Sequence, residues 1–192
     1  MKQVLMLMVL GAVSAAAEPG LTVSVYNYSP ASAVEIRRAE QEAAAVFQRA
    51  GIEIVWVECA VDGPACGTES KSAQAILRIL GRRPGDAFDH PLGYAFPGGY
   101  ASVYALDTYS VAKSGGVDGS VVLGIAIGHE LGHVLLGGLE AHSRTGIMQA
   151  KWGKKDLRAA AQRALGFSPE EARKLRAEVV LRSPTLTASI TR

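Results

Sequence analysis

The sequence predicts an α+β fold: a mixed, twisted sheet of about four to five strands, one long helix, and further helices at the C-terminal end. Three observations carry this. The first half opens in strand, helix, strand order, which suggests a right-handed parallel crossover. Pro97-Gly98-Gly99 then joins two short strand-like runs through a strong turn signal. From about Val121 onward the pattern is helical, first strongly apolar and then polar.

Leu21 to Tyr28 alternates apolar and polar residues, with Leu21, Val23 and Val25 on one face, and Pro30 ends the strand. Ser32 followed by Glu35 is a capping-box signature. Ile36, Ala39, Ala43, Val46, Phe47 and Ala50 then recur at helical spacing, and Gly51 is placed to stop the helix. Ile52 to Cys59 is β-branched and aromatic, as a strand should be. Ala73 to Leu80 reads as a third strand, with a short helix as the alternative, and Gly81 to Pro91 reads as loop. Leu92 to Phe96 and Ala101 to Leu106 are the two strands around the Pro-Gly-Gly turn.

Thr108 to Gly119 is polar and contains glycine, so it reads as a connection. Asp118 or Ser120 can cap the next helix, from about Val121 to Leu136, which Gly137-Gly138 ends. Its first half is apolar on every side and should be buried. Lys154 to Leu165 forms a more polar helix, with Lys154, Lys155 and Arg158 on a solvated face. Ser168, Pro169 and Glu171 then open a last helix as cap, first residue and capping-box partner. No internal repeat is present.

Hydrophobic residues make up 48% of the 192 and charged residues 20%, the balance of a folded single domain. A net charge of +2 with scattered Lys and Arg argues against nucleic acid or an anionic membrane surface as a partner. Met1-Lys2, an apolar run from Val4 to Val13, and Ser14-Ala15-Ala16-Ala17 form a signal-peptide pattern. Residues 1–17 are thus expected to be cleaved, 18–182 to form the domain, and 183–192 to be a flexible tail. The expected product is a secreted or periplasmic monomer without a stable membrane anchor. In that oxidising compartment Cys59 and Cys66, enclosing a turn-rich loop, read as a disulfide; two buried thiols are the alternative.

The chemistry lies in His129-Glu130-Leu131-Gly132-His133. Residues four apart on a helix send both imidazoles from one face, so they can share a metal ion. Glu130 lies about 100° around from His129. There it can reach a metal-activated water without ligating, take its proton and return it to a leaving amine. This is the logic of the His-Glu-x-x-His spacing, and it points to Zn2+ and a protein or peptide substrate. A surface helix that happens to carry these residues is the competing reading, opposed by the apolar turns before them. A catalytic zinc takes three protein ligands and keeps a position open for water. His142 is the natural third ligand, since Gly137 and Gly138 let the chain fold back. Glu140, Glu170 and Glu171 are weaker candidates, and His90, between Asp89 and Pro91, has no support as a ligand.

From His129 to Met148 the sequence resembles the metzincin metallopeptidases, most of all the matrixins, in their zincin-like fold. His142-Ser143 resembles the third-ligand segment, and Gly146-Ile147-Met148 resembles the methionine turn beneath the metal. Leu136 and Leu139 stand where the family pattern has glycine and the third histidine, so His142 arrives three residues late, after a longer loop. No tyrosine follows Met148 to stabilise the transition state, and no inhibitory propeptide or cysteine latency switch is expected. The resemblance implies an exported zinc-dependent endopeptidase with Glu130 as general base and His129, His133 and His142 as ligands. It implies an extended substrate along a strand edge, at Leu92–Phe96 or Ala101–Leu106. Two rivals are a non-enzymatic exported protein using zinc structurally on the same scaffold, and a gluzincin-like peptidase with a downstream Glu ligand.

Overall fold

A computed structural model describes residues 19–64, 66, 73–84, 91–96, 99–137 and 141–183. The expected signal peptide, His90, Pro97-Gly98, Gly138, Glu140 and the tail from 184 lie outside the described residues.

Five strands form one mixed sheet in the order β2-β1-β3-β5-β4. They are β1 (Gly20–Asn27), β2 (Glu53–Cys59), β3 (Ala73–Leu80), β4 (Gly93–Phe96) and β5 (Tyr100–Tyr104). The first four in sheet order are parallel, and β4 runs antiparallel to β5 at one edge. The register aligns Leu21 with both Ile54 and Ala73, and Leu77 with Ala101, so one face collects the apolar set of every strand. Leu21, Val23, Leu77, Ile79 and Val103 are fully buried there. A single-residue slip would turn all of them outward.

The parallel β1 and β2 are connected by α1 (Ala33–Arg49), as the strand–helix–strand order required. Ser32 and Glu35 make the expected capping box, and Ile36, Ala39, Ala43 and Phe47 pack into the core. The Cys59–Cys66 disulfide is formed at the end of β2. Cys66 lies over the opposite face of the sheet, where the Ser24 hydroxyl donates to its carbonyl at 3.2 Å.

The segment read as a polar connection is a helix, α2 (Ala105–Gly115), and β5 accordingly ends at Tyr104 rather than Leu106. Ala105, Thr108 and Ala112 form its narrow buried face. The hydroxyls that made it look like a loop turn back on the helix: Thr108 donates to the Ala105 carbonyl and Ser110 to the Leu106 carbonyl. The central helix α3 (Gly119–Leu136) starts at Asp118, whose carboxylate accepts from the Ser120 N–H. It is long and apolar enough to cross a membrane, but 15 of its 18 residues are buried inside the domain. α4 (Lys154–Ala161) stops four residues before the expected Leu165, since the chain reverses at Arg163 with φ 55°. Lys154, Lys155 and Arg158 are exposed as expected. α5 (Pro169–Arg182) carries the expected Ser168–Glu171 capping box.

Candidate metal centre

α3 brings the chain to the site as a buried rod. Glycines at 124, 128 and 132 form a stripe along it, and each lets another part of the chain approach the helix closely. A methyl group at Gly132 would sit 2.6 Å from Met148 Sδ and 3.0 Å from Phe167, and one at Gly124 would sit 2.6 Å from the Ala39 carbonyl of α1. Met148 and Ile147, both fully buried, therefore lie directly beneath the turn that carries the histidines.

His129 and His133 are 8% and 5% exposed, and their Nε2 atoms are 2.9 Å apart. His142 is exposed, and its Nε2 lies 3.1 Å from that of His133. The three are the group of ligand atoms, among the described residues, that could close on one ion. The ring of His129 has a settled tautomer. Its Nδ1 is 2.8 Å from the Ile147 carbonyl, which can only accept, so Nδ1 carries the proton and Nε2 presents a lone pair. Burial pushes the His129 pKa down to about 4, against the opposing bond to Ile147, so the ring is neutral at pH 7. One proton on His133 cannot satisfy two facing nitrogens, whereas one cation can. Two nitrogens each 2.0–2.1 Å from a tetrahedral ion stand about 3.3 Å apart. The observed spacings are a few tenths shorter, and the donor set, three imidazoles, suits zinc.

His142 reaches the group because Gly137 ends α3 in the left-handed conformation, φ 98°, with its N–H on the His133 carbonyl. The segment after His142 is tied to the turn beneath the helix: the Ser143 N–H donates to the Met148 carbonyl at 2.9 Å, and Ser143 bridges to Gln149. That turn is fixed in its own right, since the Ile147 N–H donates to the Gly166 carbonyl at 2.9 Å. Met148 thus sits where it shapes both halves of the site.

Glu130 is 6% exposed, and burial pushes its pKa up to about 8. Its side chain fits only because residue 93 on β4 is glycine. A methyl group there would meet Glu130 Cγ at 2.7 Å, Oε1 at 2.8 Å and the Ser102 carbonyl at 2.5 Å. Two further residues were not picked out from the sequence. The Trp152 indole donates to the Ile147 carbonyl at 3.1 Å, and its ring stands edge-on to His129 with centroids 5.5 Å apart. The spacing of four between Gly124, Gly128 and Gly132 was a legible signal of close packing; neither Gly93 nor Trp152 had one.

The downstream carboxylates do not join the cluster. Glu171 Oε2 accepts from the Ser168 N–H at 2.7 Å, and Glu170 pairs with Lys174 at 2.9 Å.

No protein-family model matches the sequence, and no characterised protein matches it significantly. Solved structures do match in fold. A zinc-dependent peptidase from Methanocorpusculum labreanum aligns with a TM-score of 0.52 at 14% identity, over 80% of this chain and 99% of that one. Archaemetzincin from Methanopyrus kandleri aligns with a TM-score of 0.52 at 15% identity, over 88% of this chain and 99% of that one. At such identities the likeness is one of architecture, and this chain has the fold of those two proteins.

Proposed function

We propose that the protein is an exported zinc-dependent endopeptidase of the metzincin type. The observation that carries this reading is the convergence of three imidazole Nε2 atoms, with Glu130 next to the first ligand on the same buried turn. His129, His133 and His142 would hold the ion. When bound, zinc lowers the pKa of a coordinated water to about 7 and polarises a carbonyl. Glu130 accepts a proton from the attacking water and delivers it to the leaving nitrogen. Its desolvated position strengthens that exchange, and Gly93 gives it the room. His142 lies on the open side, leaving approach for a substrate that a site of four protein ligands would deny.

An extended peptide would pair along β4, the edge strand, because β5 is already paired on both sides by β3 and β4. The two solved neighbours, one described as a zinc-dependent peptidase and one as archaemetzincin, support the reading through their shared scaffold. The likeness to matrixins rests on His142-Ser143 and on the position of Met148 under α3; the nine-residue step from His133 to His142 is this chain's own variation. Export is supported by the N-terminal pattern and the Cys59–Cys66 disulfide.

The test is peptide hydrolysis by zinc-loaded parent and Glu130→Gln proteins. Loss of a general base should lower the rate by about 10²–10⁴-fold with zinc retained. A variant that hydrolyses peptides as fast as the parent would contradict the mechanism, and a parent that holds zinc but cleaves no peptide would favour the structural role.

A further inference from the structure

We propose that Trp152 is a positioning residue for the metal centre, acting through the Ile147 carbonyl to hold the ring of His129. The inference takes from the functional reading only that His129 is a metal ligand.

A carbonyl oxygen has two lone pairs. Those of Ile147 are used by His129 Nδ1 at 2.8 Å and by Trp152 Nε1 at 3.1 Å, so one buried acceptor joins the imidazole to the indole. The first bond sets the tautomer that leaves His129 Nε2 bare for a metal. The second fixes the direction in which the carbonyl points. The indole also stands perpendicular to His129, 89° between planes, and closes the space into which the ring would swing. Ile147 is anchored on its other side by the bond from its N–H to the Gly166 carbonyl. His129 is thus clamped by a residue whose N–H and carbonyl are both held.

The orientation of the indole separates this role from simple core filling. Trp152 is only half-buried, and it also lines a surface pocket shared with Ser114 and Gly115 of α2 and with Gly153 and Leu157. An indole placed there only for its apolar area could direct its N–H toward that opening and water. Instead the N–H is turned inward to the carbonyl that orients His129. Trp56, half-buried on β2, offers the contrast: its Nε1 has no partner among the described residues, and its ring packs against the core.

Partners that orient a ligating histidine typically contribute about 10–100-fold in metal affinity. The test measures zinc affinity by chelator competition for the parent, Trp152→Phe, Trp152→Ala and Trp56→Phe, with thermal unfolding of each metal-free protein. Trp152→Phe keeps an aromatic edge and loses the donor; it should bind zinc about ten-fold more weakly while unfolding near the parent's midpoint. Trp152→Ala should bind more weakly still, and Trp56→Phe should match the parent. Zinc affinity of Trp152→Phe within two-fold of the parent's would overturn the proposal, as would an equal loss in Trp56→Phe. Failure of the parent to bind zinc would overturn the metal-site reading beneath it.

Discussion

His129, Glu130 and His133 stand on a buried helix, whereas His142 stands exposed on a segment held by a few hydrogen bonds. On the helix, the relative placement of the two ligands follows from 3.6 residues per turn, and the glycine stripe locks the helix onto α1 and the Met148 turn. Off the helix, His142 depends on a left-handed Gly137, the Ser143–Met148 bond and the Ser143–Gln149 bridge. The first region is preorganised by the core itself. The second rests on local bonds alone and lies on the exposed side of the site.

The largest effect expected from this difference is in metal binding. His133→Ala removes the nitrogen that faces both other ligands, and zinc should be lost on dialysis. His142→Ala leaves the buried pair intact, so zinc should still bind, at clearly lower affinity. Chelator competition on both variants checks this. Equal loss in the two would erase the distinction between regions, and unchanged affinity in His142→Ala would remove it from the site.

A smaller effect follows from burial on the helix side. In metal-free protein, burial raises the Glu130 pKa from 4.5 to about 8 and lowers that of His129 from 6.5 to about 4. Between about pH 4 and 6.5 the unfolded chain holds a proton on His129 that the folded state lacks, so this residue makes stability rise with pH. Between about 4.5 and 8 the folded state holds a proton on Glu130 that the unfolded chain has lost, so this residue makes stability fall. Above 6.5 only the Glu130 effect persists of these two. From pH 6.5 to 8 it should cost the metal-free protein on the order of 2 kcal/mol. Denaturant unfolding should show the decline in the parent and its loss in Glu130→Gln; an identical slope in both would contradict the burial argument.

The smallest effect lies at the junction of the two regions. Among the described residues nothing stands within 4 Å of a methyl group at Gly137, so Gly137→Ala pays for its left-handed backbone, about 1 kcal/mol. A cost of several kcal/mol in denaturant unfolding would mean that the junction is packed more tightly than the geometry shows.

What could be read from the sequence divides along the same line. The spacing of His129 and His133, the Ser32–Glu35 and Ser168–Glu171 caps, and the alternation of β1 are local patterns, and local periodicity fixes their geometry. His142 was recognisable as a residue type within reach, yet its hold on the Met148 turn comes from bonds the spacing does not encode. α2 escaped because its hydroxyls satisfy themselves on their own helix and only a narrow face is apolar. Gly93 and Trp152 gain their roles from chain segments 37 and 23 positions away from Glu130 and His129, brought close only by the completed fold.

Zinc-edge X-ray absorption on the purified protein tests the central claim most directly. Three imidazole nitrogens and one exchangeable oxygen, all at about 2.0–2.1 Å, are the expected first shell. A shell of four protein ligands, or one containing sulfur at about 2.3 Å, would contradict it.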